Sequence, residues 1–190
     1  IDPEPKQTLI NRAVADGLYN EAVRLSNRPI QNTNIYNGKF EIEPSYPPFD
    51  WVLSRDAELG SERVGQSEGR QSHRLYLSAG SGRSGILAKQ LLMLKPGTYD
   101  LNAEVSSVPA SIPDRPFLRL RCAGNIETVI ANADFPQANA APEVLNLAIR
   151  VPPEGCAAQW LEISAKASRQ IGGTQSYLES ISISRIALRN

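Results

Sequence analysis

The chain has 190 residues, with 20 Lys+Arg against 20 Asp+Glu and a formal net charge of zero, so there is no electrostatic case for nucleic acid or an anionic membrane surface. Its length suits one domain of ordinary size with a small appendage, large enough to bury a core. No apolar run of about 18 residues occurs, so no transmembrane helix is expected, and one histidine with two distant cysteines does not make a zinc site. The chain begins at Ile1 rather than Met and reads as a piece of a longer protein, so the lack of a visible signal peptide carries no weight.

The first stretch is helical in pattern. Leu9, Ile10, Ala13 and Val14, then Leu18, Ala22, Val23 and Leu25, recur at helical spacing, and Asp16-Gly17 interrupts them. This predicts two short helices over 6–15 and 18–26. The segment from Ala13 to Ala22 resembles the turn of a tetratricopeptide-type helix pair. One such pair cannot bury its own face. Either it packs as an amphipathic extension on the remainder of the chain, or it is the remnant of a longer helical-repeat region. Residues 27–34 are polar, carry Pro29 and read as a linker, so 1–33 form the helical extension and its linker.

From Asn34 onward the period changes from 3.6 to 2. Leu75-Leu77-Ala79, Tyr99-Leu101-Ala103-Val105, Leu118-Leu120-Cys122, Leu145-Leu147-Ile149-Val151, Leu161-Ile163-Ala165 and Ile181-Ile183 each alternate with polar neighbours. One apolar and one polar face per strand is the pattern of antiparallel sheets packed face to face. Turn signals at Gly80-Ser81-Gly82, Pro96-Gly97, Pro113-Asp114, Gly124-Asn125, 152–155 and Gly172-Gly173 separate the runs. About ten strands and almost no helix predict an all-β fold, an antiparallel β-sandwich of jelly-roll type over 34–190 with a short α-helical N-terminal extension.

Asn37-Gly38-Lys39-Phe40-Glu41 reads as a turn leading into a strand. Pro47-Pro48 reads as a rigid break before a second aromatic strand opening with Phe49-Asp50-Trp51, and Leu94 to Tyr99 as a turn launching another. This order resembles the opening of jelly-roll carbohydrate-binding modules of the galactose-binding-like class. The resemblance implies a buried Trp51. It also implies a structural Ca²⁺ tying the first strand to the last, with Glu41 and Glu179 as the matching ligands and no other cofactor. The family usually has two aspartates where this chain has Glu179-Ser180, a loss for a shell of 6–8 oxygens. The competing reading has Glu41 bonding backbone groups at the sandwich edge.

Cys122 ends one alternating strand, and Cys156 lies in the turn before another. An even pair fits a disulfide in an exported protein or two buried thiols in a cytosolic one, and the positions favour the bridge. A bridge would close a loop of roughly 35 residues and stabilise by about 3–4 kcal/mol. It would also make the two strands neighbours. Trp160 and Glu162, in the polar phase of one, would then share a face with Phe117, Arg119 and Arg121 of the other, an aromatic and charged surface suited to a neutral or acidic glycan. Tyr76 and Tyr46 are weaker candidates by the same logic. The competing reading packs Trp160 under a loop.

Enzyme chemistry has little support. His73 is the only histidine, there is no Gly-x-Ser-x-Gly elbow, and the glycine-rich 80–85 stretch lacks the ending of a phosphate loop and reads as a hairpin loop. The resemblance implies noncatalytic recognition of a saccharide in a bacterial periplasmic, secreted or cell-envelope protein. The alternative is a protein–protein interaction or structural domain of a larger helical-repeat protein in polysaccharide export, with a protein partner in place of a glycan. A glycoside-active enzyme is the lesser reading.

Overall fold

The computed structural model describes residues 3–28, 34–65, 72–125 and 127–186. Two helices come first, α1 (Pro3–Ala15) and α2 (Tyr19–Ser26). Between them Gly17 takes a φ of +75°, in the left-handed region that glycine enters without cost. The Leu18 amide then bonds back to the Ala13 carbonyl at 2.8 Å. α1 starts three residues earlier than the apolar periodicity predicts, at Pro3, a residue suited to a first helical turn. Part of the predicted linker, 29–33, lies outside the described residues.

Eleven strands come next among the described residues: β1 (Val52–Leu53), β2 (Arg55–Asp56), β3 (Leu59–Gly65), β4 (His73–Ala79), β5 (Gly85–Leu92), β6 (Gly97–Ser106), β7 (Phe117–Cys122), β8 (Val129–Asp134), β9 (Glu143–Val151), β10 (Gln159–Ala165) and β11 (Thr174–Arg185). One sheet has the order β1-β5-β10-β7-β8 and the other β2-β3-β4-β11-β6-β9, with every pairing antiparallel. The two sheets bury one core between them. Leu75, Leu77, Leu101, Ala103, Leu118, Leu120, Leu161 and Ile163 are all part of it. These are the apolar phases of the alternating runs. Each fully buried Leu or Ile contributes about 1.5–3 kcal/mol of transfer free energy.

Residues 34–51 depart from the expectation of a first strand and a second aromatic strand. Among the described residues no strand forms before β1, and the Asn37 region is a turn. Phe40 adopts a φ of +56°, and its amide bonds to the Asn37 carbonyl at 3.0 Å, which curls the chain out of any ladder. The turn is instead locked by side chains. Trp51 Nε1 donates to the Asn37 carbonyl at 3.2 Å, and the Phe40 and Trp51 rings lie 5.6 Å apart. Trp51 is buried, as the resemblance implies. The Ile181 amide donates to the Gly38 carbonyl at 2.8 Å, fastening this turn to β11. Burial pushes the Asp50 carboxyl above its ordinary pKa, opposed by backbone N–H donors from Ser45 and Trp51.

The helices pack on the sandwich. Ile10, Ala13, Tyr19 and Ala22 form a second apolar cluster with Phe49, Leu91 and Ala158, and Met93, Ala123 and Trp160 pack against it. An amphipathic extension needs such a surface, since two short helices are marginal alone. Among the described residues no helix is long and apolar enough to cross a membrane.

One glycine is held by both backbone and contact. Gly173 has a φ of +79°, and a Cβ there would meet the Ala79 carbonyl oxygen at 2.2 Å. Gly173→Ala should therefore cost about 2–4 kcal/mol, from left-handed strain and from overlap with a strand backbone that cannot yield. Urea unfolding measures it, and a cost below about 0.5 kcal/mol would show that the β11 entry is not held as described.

Candidate functional site

The outer face of the five-stranded sheet is set by the alternation in β10. Leu161, Ile163 and Ala165 enter the core, which turns Trp160, Glu162 and Ser164 outward. Cross-strand register then fixes their neighbours. Trp160 stands between Leu91 and Arg121, Glu162 between Lys89 and Arg119, and Ser164 between Ile86 and Phe117. The next strand adds Asn132 beside Arg119 and Asp134 beside Phe117. Phe117, Arg119, Arg121, Trp160 and Glu162 thus share one face.

The bridge Cys122–Cys156 is formed, with Cα atoms 5.0 Å apart and a sequence separation of 34. It closes the end of the β7–β10 ladder, where Gln159 pairs with Cys122. The Gln159 side chain ties the same corner. Its Nε2 donates to the Cys156 carbonyl at 2.7 Å, and its Oε1 accepts from the Leu94 amide at 2.8 Å.

Glu162 is the electrostatic centre. Its side chain is 0% exposed, flanked by Arg119 at 35% and Arg121 at 19%. Oε2 accepts from Arg119 Nε at 3.0 Å and Nη2 at 2.9 Å, and Oε1 accepts from Arg121 Nε at 2.9 Å and Nη2 at 2.6 Å. Four charge-assisted bonds fill the lone-pair positions of a carboxylate that water does not reach. Arg119 also lies 5.9 Å from the Phe117 ring centre.

Trp160 does not stand as an open ring. It packs against the helix cluster, and the Lys89 ammonium lies 4.7 Å from its ring centre. Sequence reasoning did not find Lys89. The signal was there, since it is the one charged residue in the apolar run from Gly85 to Leu94.

Tyr76 is not brought together with these residues. It lies on the outer face of the six-stranded sheet opposite Tyr177, with ring centres 5.5 Å apart. Burial, and next the Tyr177 hydroxyl, raise its pKa. Beside it an open groove of about 460 Å³ is lined by Glu43, Asp56, Glu62, Arg63 and Ser78. Arg74 stacks 3.6 Å from the Tyr177 ring centre.

The two glutamates named for Ca²⁺ sit in different surroundings. Glu41 is exposed beside Ile181–Ser184. Glu179 lies at the β11 register shift, paired with Arg74 at 3.2 Å and accepting from the Ser106 hydroxyl. A guanidinium in the shell opposes a divalent cation, and among the described residues no group of three or more His, Cys, Asp or Glu could hold a metal. These residues do not fit the ion.

No family model and no curated protein matches the chain. Solved structures match its fold. TmCBM61 in complex with beta-1,4-galactotriose is 13% identical with a TM-score of 0.54, covering 82% of this chain and 100% of that one. A structure described as "CBM4 structure and function" is 15% identical with a TM-score of 0.56, covering 80% and 99%. The C-terminal family 22 carbohydrate-binding module of Clostridium thermocellum Xyn10B is 14% identical with a TM-score of 0.51, covering 83% and 97%. The chain also matches the enzymatically active domain of bacteriophage CBA120 tailspike protein 4, of which it spans 21%. The fold is therefore the jelly-roll β-sandwich seen in carbohydrate-binding modules. The comparisons give no support to a tetratricopeptide relation for α1 and α2.

Proposed function

We propose that this chain is a noncatalytic carbohydrate-binding module whose ligand face is the outer side of the five-stranded sheet. The observation that carries the reading is the cross-strand row structure there. Trp160–Arg121, Glu162–Arg119 and Ser164–Phe117 form adjacent pairs on one face, with both guanidiniums oriented by a single carboxylate. Rings and pre-oriented donors are what a saccharide needs, because ordering costs are met before binding. On this reading residues 34–190 form the module and 1–33 its helical extension and linker. The disulfide fits a periplasmic, secreted or cell-envelope setting.

A glycan array with the purified chain tests it, using Trp160→Leu, which keeps an apolar side chain against the helices, and Phe117→Ala. The expected result is binding to at least one glycan, weakened about tenfold or more by either substitution while the unfolding midpoint stays within a few degrees. A folded chain that binds no glycan would sink the reading.

A second reading has an observation of its own. Leu9, Leu18 and Leu25 on and beside the two helices are 56%, 51% and 38% exposed. Three exposed leucines on one hairpin favour a helical protein partner. If that reading holds, Leu9→Ser with Leu18→Ser should abolish association with that helical partner and leave glycan binding unchanged, as co-purification would show.

A further inference from the structure

We infer that the outer face of the five-stranded sheet selects carboxylate-bearing saccharides, chains of uronic acids, over neutral chains of the same length. This rests on the carbohydrate-binding reading and names the ligand class of that site. Three cations, Lys89, Arg119 and Arg121, surround one carboxylate, Glu162, which leaves a surplus of two positive charges on the central rows. The next charged residues along the face cancel, since Lys166 pairs with Asp134 at 2.6 Å. Lys89 has no carboxylate partner among the described residues, and its ammonium rests on the Trp160 ring instead.

The hydrogen-bond inventory points the same way. Each guanidinium carries five N–H donors. Arg119 and Arg121 each spend Nε and one Nη2 hydrogen on Glu162, so three donors per arginine remain, including the Nη1–Nη2 edge whose fork matches a second carboxylate. Glu162 has no acceptor left to offer. The cluster is therefore a donor-only surface. A neutral pyranose hydroxyl must both donate and accept, and part of its complement would go unmet there. A uronate carboxylate only accepts. The ring that a neutral sugar would stack on is already covered in part by Lys89, so stacking there would have to displace a cation–π contact. A carboxylate approaching the same ring meets the ammonium as a partner.

The test is titration calorimetry of the whole chain with hexamers of galacturonate, guluronate, mannuronate and glucuronate, alongside methyl-esterified hexagalacturonate, which keeps the backbone and removes the charge. At least one free acid should bind about tenfold or more tightly than any neutral hexamer, and should weaken about tenfold between about 50 and 500 mM NaCl. Lys89→Gln leaves the Glu162 clamp intact, so it should fold normally. It should weaken the acid several-fold while binding to neutral glycans, freed of the cation–π contact they would have to displace, is not weakened. Binding to neutral glycans as tight as to every uronate, or a Lys89→Gln loss equal for both, would overturn the preference while leaving glycan binding standing. No binding to any saccharide by the folded chain would overturn both.

Discussion

Replacing Arg119 and Arg121 together by Met should lower the free energy of unfolding by about 3–5 kcal/mol. Both side chains keep their apolar stems in this variant, so packing along the sheet is largely retained. What is lost is the compensation of Glu162, whose side chain is 0% exposed and takes all four of its strong hydrogen bonds from these two residues. A buried carboxylate with no partner keeps its desolvation cost and loses its Coulombic return, which is why breaking such a pair costs far more than the pair is worth. The triple variant with Glu162→Met separates the two quantities. With the charge itself removed, most of the lost stability should return, because an apolar cluster of similar volume is close to neutral against a buried ion pair. Urea unfolding of the three proteins at constant m-value measures this. A double variant within about 0.5 kcal/mol of the parent would mean that water reaches the carboxylate. The triad's value to the protein on this account is orientation. It holds two guanidiniums on one carboxylate, and each single side chain would otherwise sample many rotamers.

Removing the disulfide should be the second large effect. Cys122→Ala with Cys156→Ala should destabilise by about 3–4 kcal/mol, since the bridge closes a 34-residue separation and that closure otherwise has to be achieved by folding alone. The ligand face should survive. β7 and β10 pair along six residues from Gln159–Cys122 to Ser164–Phe117, and the Gln159 side chain independently anchors the corner to Leu94 and Cys156. Glycan affinity should therefore change less than about twofold while the urea midpoint falls. If affinity collapses in a variant that is still folded, the bridge and not the ladder sets the spacing of Trp160 and Arg121.

The alternation read from the chain marks β4, β6, β7, β9, β10 and β11, because each has one face on the core and one toward solvent or polar neighbours. β5 was not legible as an alternating strand. Leu87, Ala88 and Leu92 join the core while Leu91 meets the helices, and the pairing with β10 shifts register opposite Ile163/Ser164, so apolar residues occupy both phases. β8 carried too little apolar contrast to read, with half-buried and exposed residues throughout. Asn37 to Trp51 was misread for a different reason. A short apolar–polar alternation is compatible with a strand, but the left-handed Phe40 and the Trp51–Asn37 bond turn the same residues into a compact clasp.

The site divides along the same line. Periodicity alone assigned Phe117, Arg119 and Arg121 to the polar phase of one strand and Trp160 and Glu162 to that of another, and cysteine placement suggested that the two were neighbours. Local sequence determines side-chain phase because the strand period is two. It does not determine who stands across the ladder, because register depends on contacts 41–43 residues apart in this cluster. Only the tertiary structure turned Glu162 from a surface carboxylate into a buried clamp, laid Lys89 over Trp160, packed the helices against that ring, and sent Tyr76 and Glu179 to the other sheet. Those outcomes come from non-local pairing, and desolvation and charge are properties of the assembled face rather than of any one strand.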